Sequence, residues 1–422
     1  MSTNTPLCGM GTCFGCRVDG VRTCVPAPTA PLVRRHAPVL IVGAGPAGMA
    51  AAEAASRSGA QVTVIDNNAA PGGQIWRAEG LVLPRSVQLL PATALIAAQD
   101  GERALLTTAG VVSYDRLILC TGARELFLPF PGWTLPGVTG AGGLQALAKS
   151  GLAQVHSRRV VVAGSGPLLL AVGAWLSRHG ARVVRIAEQA PWRKLAAFAA
   201  AMPQEKWGDA FALGLRAGRH LRAGTWPVRY AEGSVELNTG ERLACDYLAC
   251  GFGLIPSTEA AALLGCRLEA GAVAVNEWQE TSQPGIFAAG EATGIGGVDQ
   301  ASIEGEIAGL AAAGAHGQAA ALFTPRREAH RFRRVLADTF ALRPELTQLA
   351  NAGTIVCRCE GVALVSLREQ SNWRAAKLQT RCGMGVCQGR VCGPATAALF
   401  GWPDAAAPVR PPLFPVPAAL LA

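Results

Sequence analysis

Read for its apolar and polar positions, the chain changes rhythm at Pro38. PVLIVGAG runs as an unbroken apolar stretch into a glycine turn. An Ala-rich segment then continues to Gly59, and a second apolar run, QVTVID, follows. An apolar strand without alternation is what a parallel sheet covered on both faces requires. A glycine closing an Ala-rich run is a good helix stop. Strand, turn, helix and strand in that order predict a βαβ unit. The same rhythm returns in RRVVVAGSGPLLLAVGAWLSRHGARVVRIAE, about 120 residues further on, so the fold class expected is α/β with two nucleotide-binding units. Upstream, RVDGVRT carries a DG turn signal and predicts a short hairpin. After Pro325, RREAHRFRR predicts a charged helix face, and the final Pro-rich stretch predicts an irregular arm.

Composition narrows this picture. In 422 residues, 38 Lys and Arg against 29 Asp and Glu give a formal charge of +9. Only four of the basic residues are Lys and the Arg residues are scattered, so no nucleic-acid groove is expected. A hydrophobic content of 50% excludes a largely disordered chain. No long stretch free of charge predicts a membrane span, and the first residues lack the basic patch and apolar run of a secretory signal. Of 13 cysteines, nine sit in two tight clusters near the chain ends. Such spacing predicts metal or cluster ligands in a reducing compartment, hence a cytoplasmic protein.

Gly43, Gly45 and Gly48, with Pro46 and Ala47 between them, form a G-x-G-x-x-G turn. The first glycine permits the bend, the second the approach of a pyrophosphate, and the third close packing of helix on strand. Asp66 ends the next strand, where a carboxylate accepts from ribose hydroxyls. In the second unit Gly164 and Gly166 repeat the first two glycines, Leu169 replaces the third, and Glu188 stands in the place of the ribose acid. Leu169 is expected to widen the helix–strand separation. NAD(P) or another adenine nucleotide, or a purely structural domain, are both open there.

The cysteines divide by function. Cys8, Cys13 and Cys16 have the plant-type ferredoxin spacing, with Cys24 after the hairpin. Only seven residues precede Cys8, too few for the strands and helix before such a loop. A two-iron centre here needs a start further upstream or another subunit to complete the fold, and otherwise the head is a remnant. At the other end Cys357, Cys359, Cys382, Cys387 and Cys392 compete for four positions. Four thiolates suit a 2Fe-2S cluster and Zn²⁺ equally well. No C-x-x-C or C-x-x-x-x-C occurs between Pro38 and Ala350, which argues against a disulfide reductase. Cys120, Cys245, Cys250 and Cys266 lie in apolar contexts and are expected to be buried small hydrophobes. The six His residues suggest no catalytic dyad, and no residue of this chain stands out as a catalytic acid or base.

Three further segments carry a resemblance. LILCTGARE, with Thr121 and Gly122, TSQPGIFAAGEATG, with Gly290 and Glu291, and PGGQIWR, with Gly72, Gly73 and Gln74, resemble motifs of two-dinucleotide-binding flavoproteins over residues 38–322. The resemblance implies FAD, two Rossmann-like domains of thioredoxin-reductase-like size, and a flavin edged by Pro71–Gln74 and Glu291, where Asp is the usual residue. KLQTRCGMG resembles the bacterioferritin-associated-ferredoxin type of domain, a small helical iron–sulfur fold. That resemblance implies Cys357, Cys359, Cys387 and Cys392 as 2Fe-2S ligands and leaves Cys382 spare. The head resembles short-spaced ferredoxin domains. FPGWTLPGVTGAGGLQALAKSG and TRCGMGVCQGR are similar to FAD/NAD-type subunits of heteromeric amino-acid dehydrogenases, which include the opine, hydroxyproline, proline, hydrogen cyanide synthase and sarcosine oxidase groups.

The domains so implied are a partial ferredoxin-like head and linker (1–36), an FAD-binding domain in two parts (37–127 and 256–322), a second nucleotide-binding domain (128–255), a 2Fe-2S domain (323–402) and a tail (403–422). The resemblance implies an electron-transfer subunit for the oxidation of an amino acid or N-substituted amino acid. Its partners would be a second FAD subunit of glycine-oxidase-like type and a small ferredoxin-like subunit. Two alternatives stand beside it: a self-sufficient NAD(P)H-dependent reductase of ferredoxin-reductase type, and a non-catalytic nucleotide-binding scaffold.

Overall fold

The computed structural model describes residues 17–18, 21–22, 33–77, 79–99, 101–402, 409–417 and 420. Cys8, Cys13, Cys16 and Cys24 lie outside the described residues. Arg17–Val18 pairs antiparallel with Val21–Arg22, as the DG signal predicts.

The first apolar run forms β1 (Arg34–Val42), followed by α1 (Pro46–Arg57) and β2 (Val62–Ile65). The sheet continues through β3 (Val87–Leu90), β4 (Leu95–Ala98), β5 (Ala104–Thr107) and β6 (Gly110–Leu119). β1 begins at Arg34, four residues before the apolar run at Pro38 announces it. Its polar entry RRHA pairs with Val111–Tyr114 of β6, with Arg34 opposite Val111 and Val42 opposite Leu119. A long partner strand extends β1 where hydropathy gives no signal. β3, β2, β1 and β6 run parallel in that spatial order, and β5 and β4 continue antiparallel.

The second unit is a parallel five-stranded sheet. It comprises β7 (Val138–Gly140), β8 (Arg159–Gly164), β9 (Arg182–Glu188), β10 (Leu221–Ala223) and β11 (Tyr247–Gly251), in the order β7–β11–β8–β9–β10. Helices α2 (Ala141–Lys149), α3 (Leu168–Arg178), α4 (Trp192–Ala200) and α5 (Trp207–Ala217) connect its strands. Leu169, Val172 and Leu176 of α3 bury against Val160, Val162 and Ile186, so Leu169 fills the helix–sheet core. On the other face Phe130, Trp133, Trp226 and Tyr230 form a second core. The chain crosses between the two units where Ala123–Glu125 pairs antiparallel with Leu254–Pro256.

The first sheet is completed from far downstream by β12 (Ile286–Ala288), parallel to the end of β6. Helix α6 (Val298–Ala312) then lies on α1. A Cβ on Gly305 would fall 2.1 Å from the Ala47 carbonyl oxygen, and one on Gly309 2.3 Å from that of Ala51. Two glycines one turn apart thus bring these backbones closer than any side chain allows.

Helix α7 (Phe323–Thr339) is the charged helix expected after Pro325. It spans both units: Arg326 donates to the Glu277 carbonyl (2.9 Å), and Lys194 of α4 donates to the Asp338 carbonyl (2.9 Å). The C-terminal unit is mostly helical, with α8 (Trp373–Thr380) and α9 (Cys392–Phe400) packed on a short pair, Ile355–Cys357 with Val362–Ala363. Asn372 caps α8 by accepting from Ala375 N–H. Val356, Leu364, Leu367 and Trp373 surround Cys357, Cys382 and Cys392 in its core. Residues 409–417 are irregular, with Leu413 N–H bonded to the Ile96 carbonyl. Among the described residues no helix is long and apolar enough to cross a membrane.

Candidate flavin and thiolate site

The first glycine turn is built from backbone alone. Gly43 has φ +104°, and a Cβ there would meet the Cys120 carbonyl oxygen at 2.2 Å. A Cβ on Gly48 would lie 1.8 Å from the Gly43 carbonyl oxygen. Gly72 N–H donates to the Ala44 carbonyl (2.8 Å), drawing the 71–74 loop onto the turn. Gly73 then comes so near that its Cβ would stand 2.9 Å from the Gly45 Cα. Pro46 opens α1, where its missing N–H costs nothing. Asp66 is buried at the end of β2. Its Oδ2 accepts from Ala44 N–H, and its Oδ1 from the backbone N–H and side-chain amide of Asn68 (both 2.7 Å). The carboxylate is thereby fixed beside the turn, with acceptor capacity left over.

The other sequence-derived residues gather around this cradle. Thr121 Oγ1 donates to the Ser257 carbonyl (2.6 Å), and Ser257 N–H donates to Gly122 (2.9 Å), tying the returning chain to the end of β6. Gln74 Nε2 donates to the Gly142 carbonyl (2.8 Å). Glu125 accepts from Gly142 N–H (2.9 Å) and Gly143 N–H (3.1 Å) at the start of α2. Burial raises the Glu125 pKa, and these N–H groups oppose the rise. Gly290 starts the turn after β12, and Glu291 next to it is half-buried with its pKa raised by burial. Among the described residues nothing hydrogen-bonds its carboxyl group. Bare glycine backbone, a fixed acid on β2 and a carboxyl without a partner form a donor and acceptor set that fits FAD.

Sequence reasoning missed what holds the Gly290 turn. Glu304 on α6 is 1% exposed and accepts from Gly290 N–H (3.0 Å), Thr293 Oγ1 (2.7 Å) and Gln300 Nε2 (2.9 Å), with His330 Nε2 at 2.8 Å. Arg333 donates to the Thr293 carbonyl (3.1 Å). No local pattern links residues 26 positions apart, and Glu304 shares its segment, IEGEIAG, with a second acid, Glu306. Glu304→Leu strands several buried donors, each costing about 1–3 kcal/mol. Thermal unfolding is expected to show a loss of roughly 3 kcal/mol or more, with weakened flavin retention. Unchanged stability and flavin content would refute this role.

The second glycine turn differs. Gly164 has φ +138° and its Cβ would meet the Gly251 carbonyl oxygen at 1.9 Å, whereas one on Gly166 has open space. Glu188 is 3% exposed, with Oε2 accepting from Gly166 N–H and Oε1 from Ala190 N–H, both at 2.8 Å. Burial, opposed by these N–H groups, pushes its pKa up to about 7. Leu169, at the third glycine's position, packs its side chain between α3 and the sheet, and Leu169 N–H bonds the Gly166 carbonyl (3.1 Å).

The C-terminal thiols converge. The sulfurs of Cys357, Cys382 and Cys392 lie within 4.8 Å of one another, and all three residues are buried. Cys387 and the exposed Cys359 line the same cleft as Cys357 and Cys392. Cys382, left spare by the motif resemblance, is 0% exposed and inside the tight trio. The reason is local: Arg381 takes a left-handed conformation (φ +64°) that ends α8, and Cys382 N–H bonds back to Thr380 Oγ1 (3.2 Å). Hydrogen bonds from Cys382 and then Cys392 hold the Cys357 thiol well below its ordinary value, and partnership with Cys357 pushes Cys382 up to about 12. A thiolate at Cys357 is thus held by neighbouring thiols whose own values move the other way. Cys120, Cys245, Cys250 and Cys266 are buried, and burial raises each thiol pKa.

The thiol cluster docks against the flavin cradle. Arg124, three residues past Thr121, donates through Nε to the Arg390 carbonyl (3.2 Å), and Arg124 and Arg390 share Glu259 at 2.7 and 3.7 Å. Trp133 Nε1 donates to the Ile355 carbonyl (2.6 Å). A cleft of about 190 Å³ opens between Trp133, Gly140, Cys357, Cys359, Cys387 and Cys392.

Comparison with known proteins agrees with this arrangement. Residues 37–317 match the pyridine nucleotide-disulphide oxidoreductase family. The chain is 31% identical to hydrogen cyanide synthase subunit HcnB of Pseudomonas protegens, over 84% of this chain and 89% of that protein. It is 32% identical to an opine oxidase subunit of Agrobacterium tumefaciens, over 84% of this chain and 83% of the relative. Among solved structures, L-proline dehydrogenase from P. horikoshii shares the fold at TM-score 0.66 and 19% identity, over 93% of this chain and 81% of the other. Thioredoxin reductase from T. acidophilum does so at 0.52 and 21%, over 67% and 99%. The chain is an FAD-dependent oxidoreductase that belongs to the pyridine nucleotide-disulphide oxidoreductase family and is related to HcnB and to opine oxidase subunits.

Proposed function

We propose that this chain is the electron-transfer subunit of a heteromeric dehydrogenase whose substrate is an amino acid or N-substituted amino acid of opine, hydroxyproline, proline or glycine type. Electrons would pass through FAD at the first glycine turn and a 2Fe-2S cluster on the C-terminal thiols. The observation that supports it most is the direct docking of the cysteine loop on the flavin cradle through Arg124, Glu259 and Arg390. When bound, FAD takes up an electron pair and yields it singly, and a two-iron cluster carries one electron at a time.

The chain's own groups do the positioning. Gly43 to Gly48 and Gly73 offer bare backbone to a diphosphate, Asp66 offers a ribose acceptor, and Glu291 offers a free carboxyl. The Arg124–Glu259–Arg390 group, with all three side chains at most a quarter exposed, holds the cysteine loop at a fixed distance from Thr121 and Gly122. The oxidation of the substrate amine is assigned to the partner subunit. The test mixes the flavin-loaded chain anaerobically with a panel of such substrates, alone and with the glycine-oxidase-like subunit. Flavin bleaching is expected only with the partner present. Bleaching of the isolated chain by an amino acid would overturn the division of labour.

A further inference from the structure

The carboxyl ends of β8 and β9 bound the crevice where a parallel sheet of this kind takes its nucleotide. Gly164, Ser165 and Gly166 stand at the end of β8, and Glu188 and Gln189 at the end of β9. That crevice is filled by the chain itself. Ser165 Oγ donates to the Phe340 carbonyl (3.0 Å). Gln189 Nε2 donates to Ser165 Oγ (2.9 Å) and to the Ala341 carbonyl (3.1 Å), and Gln189 Oε1 accepts from Arg343 N–H (3.2 Å). Ser165 is 4% exposed, Glu188 3% and Gln189 0%.

We propose that the segment Phe340–Arg343 is a built-in strap that excludes pyridine dinucleotide from the second glycine turn, with Ser165 and Gln189 as the residues that seat it. Both ends of the strap are anchored. Lys194 holds the Asp338 carbonyl, the Phe340 ring meets Phe198 edge-on at 5.1 Å, and the Arg343 guanidinium lies 5.0 Å from the Trp226 ring centre. Part of the turn's own donor set is spent as well. Gly166 N–H is given to Glu188, position 167 is Pro and has none, and Leu169 N–H is given to the Gly166 carbonyl. A dinucleotide entering here would have to displace the strap from Ser165 and Gln189. The family's second cofactor therefore does not fit this chain, and reducing equivalents must enter from elsewhere. This exclusion is independent of which substrate feeds the flavin.

The test uses the full chain loaded with FAD, so that the first site is filled. NAD⁺ and ADP-ribose are titrated to about 1 mM, the upper end of ordinary cofactor affinities, by calorimetry, and amide exchange is mapped in parallel. No saturable heat and unchanged exchange over residues 164–190 and 338–343 are expected. Saturable binding with protection of Gly164–Leu169, or with faster exchange of Phe340–Arg343, would overturn the proposal. The double variant Ser165→Ala, Gln189→Ala is expected to speed exchange of 340–343 and to gain ADP-ribose binding by about tenfold or more. Faster exchange without any gain would also overturn it, because the strap would not then be what excludes the nucleotide. Should the double variant fail to fold, the titration of the unaltered chain decides.

Discussion

Gly48→Val is expected to yield a chain that retains its second domain but purifies without flavin. A Cβ at this position would stand 1.8 Å from the Gly43 carbonyl oxygen, and the neighbour is backbone, not a side chain that can swing aside. The first turn of α1 would have to move off the glycine turn. It cannot move outward, because α6 already lies on α1 with glycine carbonyl contacts at Ala47 and Ala51. Overpacking of this kind costs about 1–3 kcal/mol or more before any ligand is considered, and the misplaced turn would lose the diphosphate as well. Flavin absorbance per polypeptide should fall at least about tenfold, equivalent to ~1.4 kcal/mol of binding. Gly59→Ala is the control. Its position has φ +87° but open space for a Cβ, so only backbone strain of about 1 kcal/mol is expected and the flavin should stay. Full flavin occupancy in Gly48→Val would refute the placement of the cofactor on this turn.

The contrast between these two glycines shows what a sequence can carry. The βαβ rhythm, both glycine turns and the acids Asp66 and Glu188 are short-range patterns, and the strands and helices stand where periodicity puts them. Arg34–Ala37 joins β1 only because β6 is long enough to pair with it, a fact lodged some 75 residues away. Glu304 is one acid among many until the Gly290 turn and His330 fold onto it. The second glycine turn looks in sequence like a weakened copy of the first. What distinguishes it is Phe340, 175 positions downstream of Ser165. The motif resemblance likewise assigned the thiol ligands without knowing that Arg381 turns left-handed and brings Cys382 inward. In the first three cases the missing information is a tertiary contact, and in the last a single backbone conformation.

The thiol ligands give the last and most decisive expected result. Cys357→Ser, Cys382→Ser and Cys392→Ser should each strip the C-terminal metal from the protein, and Cys387→Ser should do the same as the fourth ligand, whereas Cys359→Ser should keep it. The argument is geometric. Three sulfurs within 4.8 Å of one another already form one face of a tetrathiolate site, and the half-buried Cys387 lines the same cleft. Cys359 is exposed and lies outside the tight trio, although its own position in C-x-C makes it look in sequence like the partner of Cys357. Iron, sulfide and zinc content of each variant, read with the visible spectrum, separates the two chemistries the thiolates allow. Two irons and two sulfides per chain with a visible charge-transfer band support the cluster, and one zinc without colour would replace it with a structural centre. Because these thiols sit in the core of the C-terminal unit, loss of metal should also destabilise that unit while the two nucleotide domains stay folded. Retention of the metal in Cys382→Ser together with its loss in Cys359→Ser would restore the ligand set that the motif resemblance implies. It would also require the exposed rim, not the buried trio, to be where the electrons leave the chain.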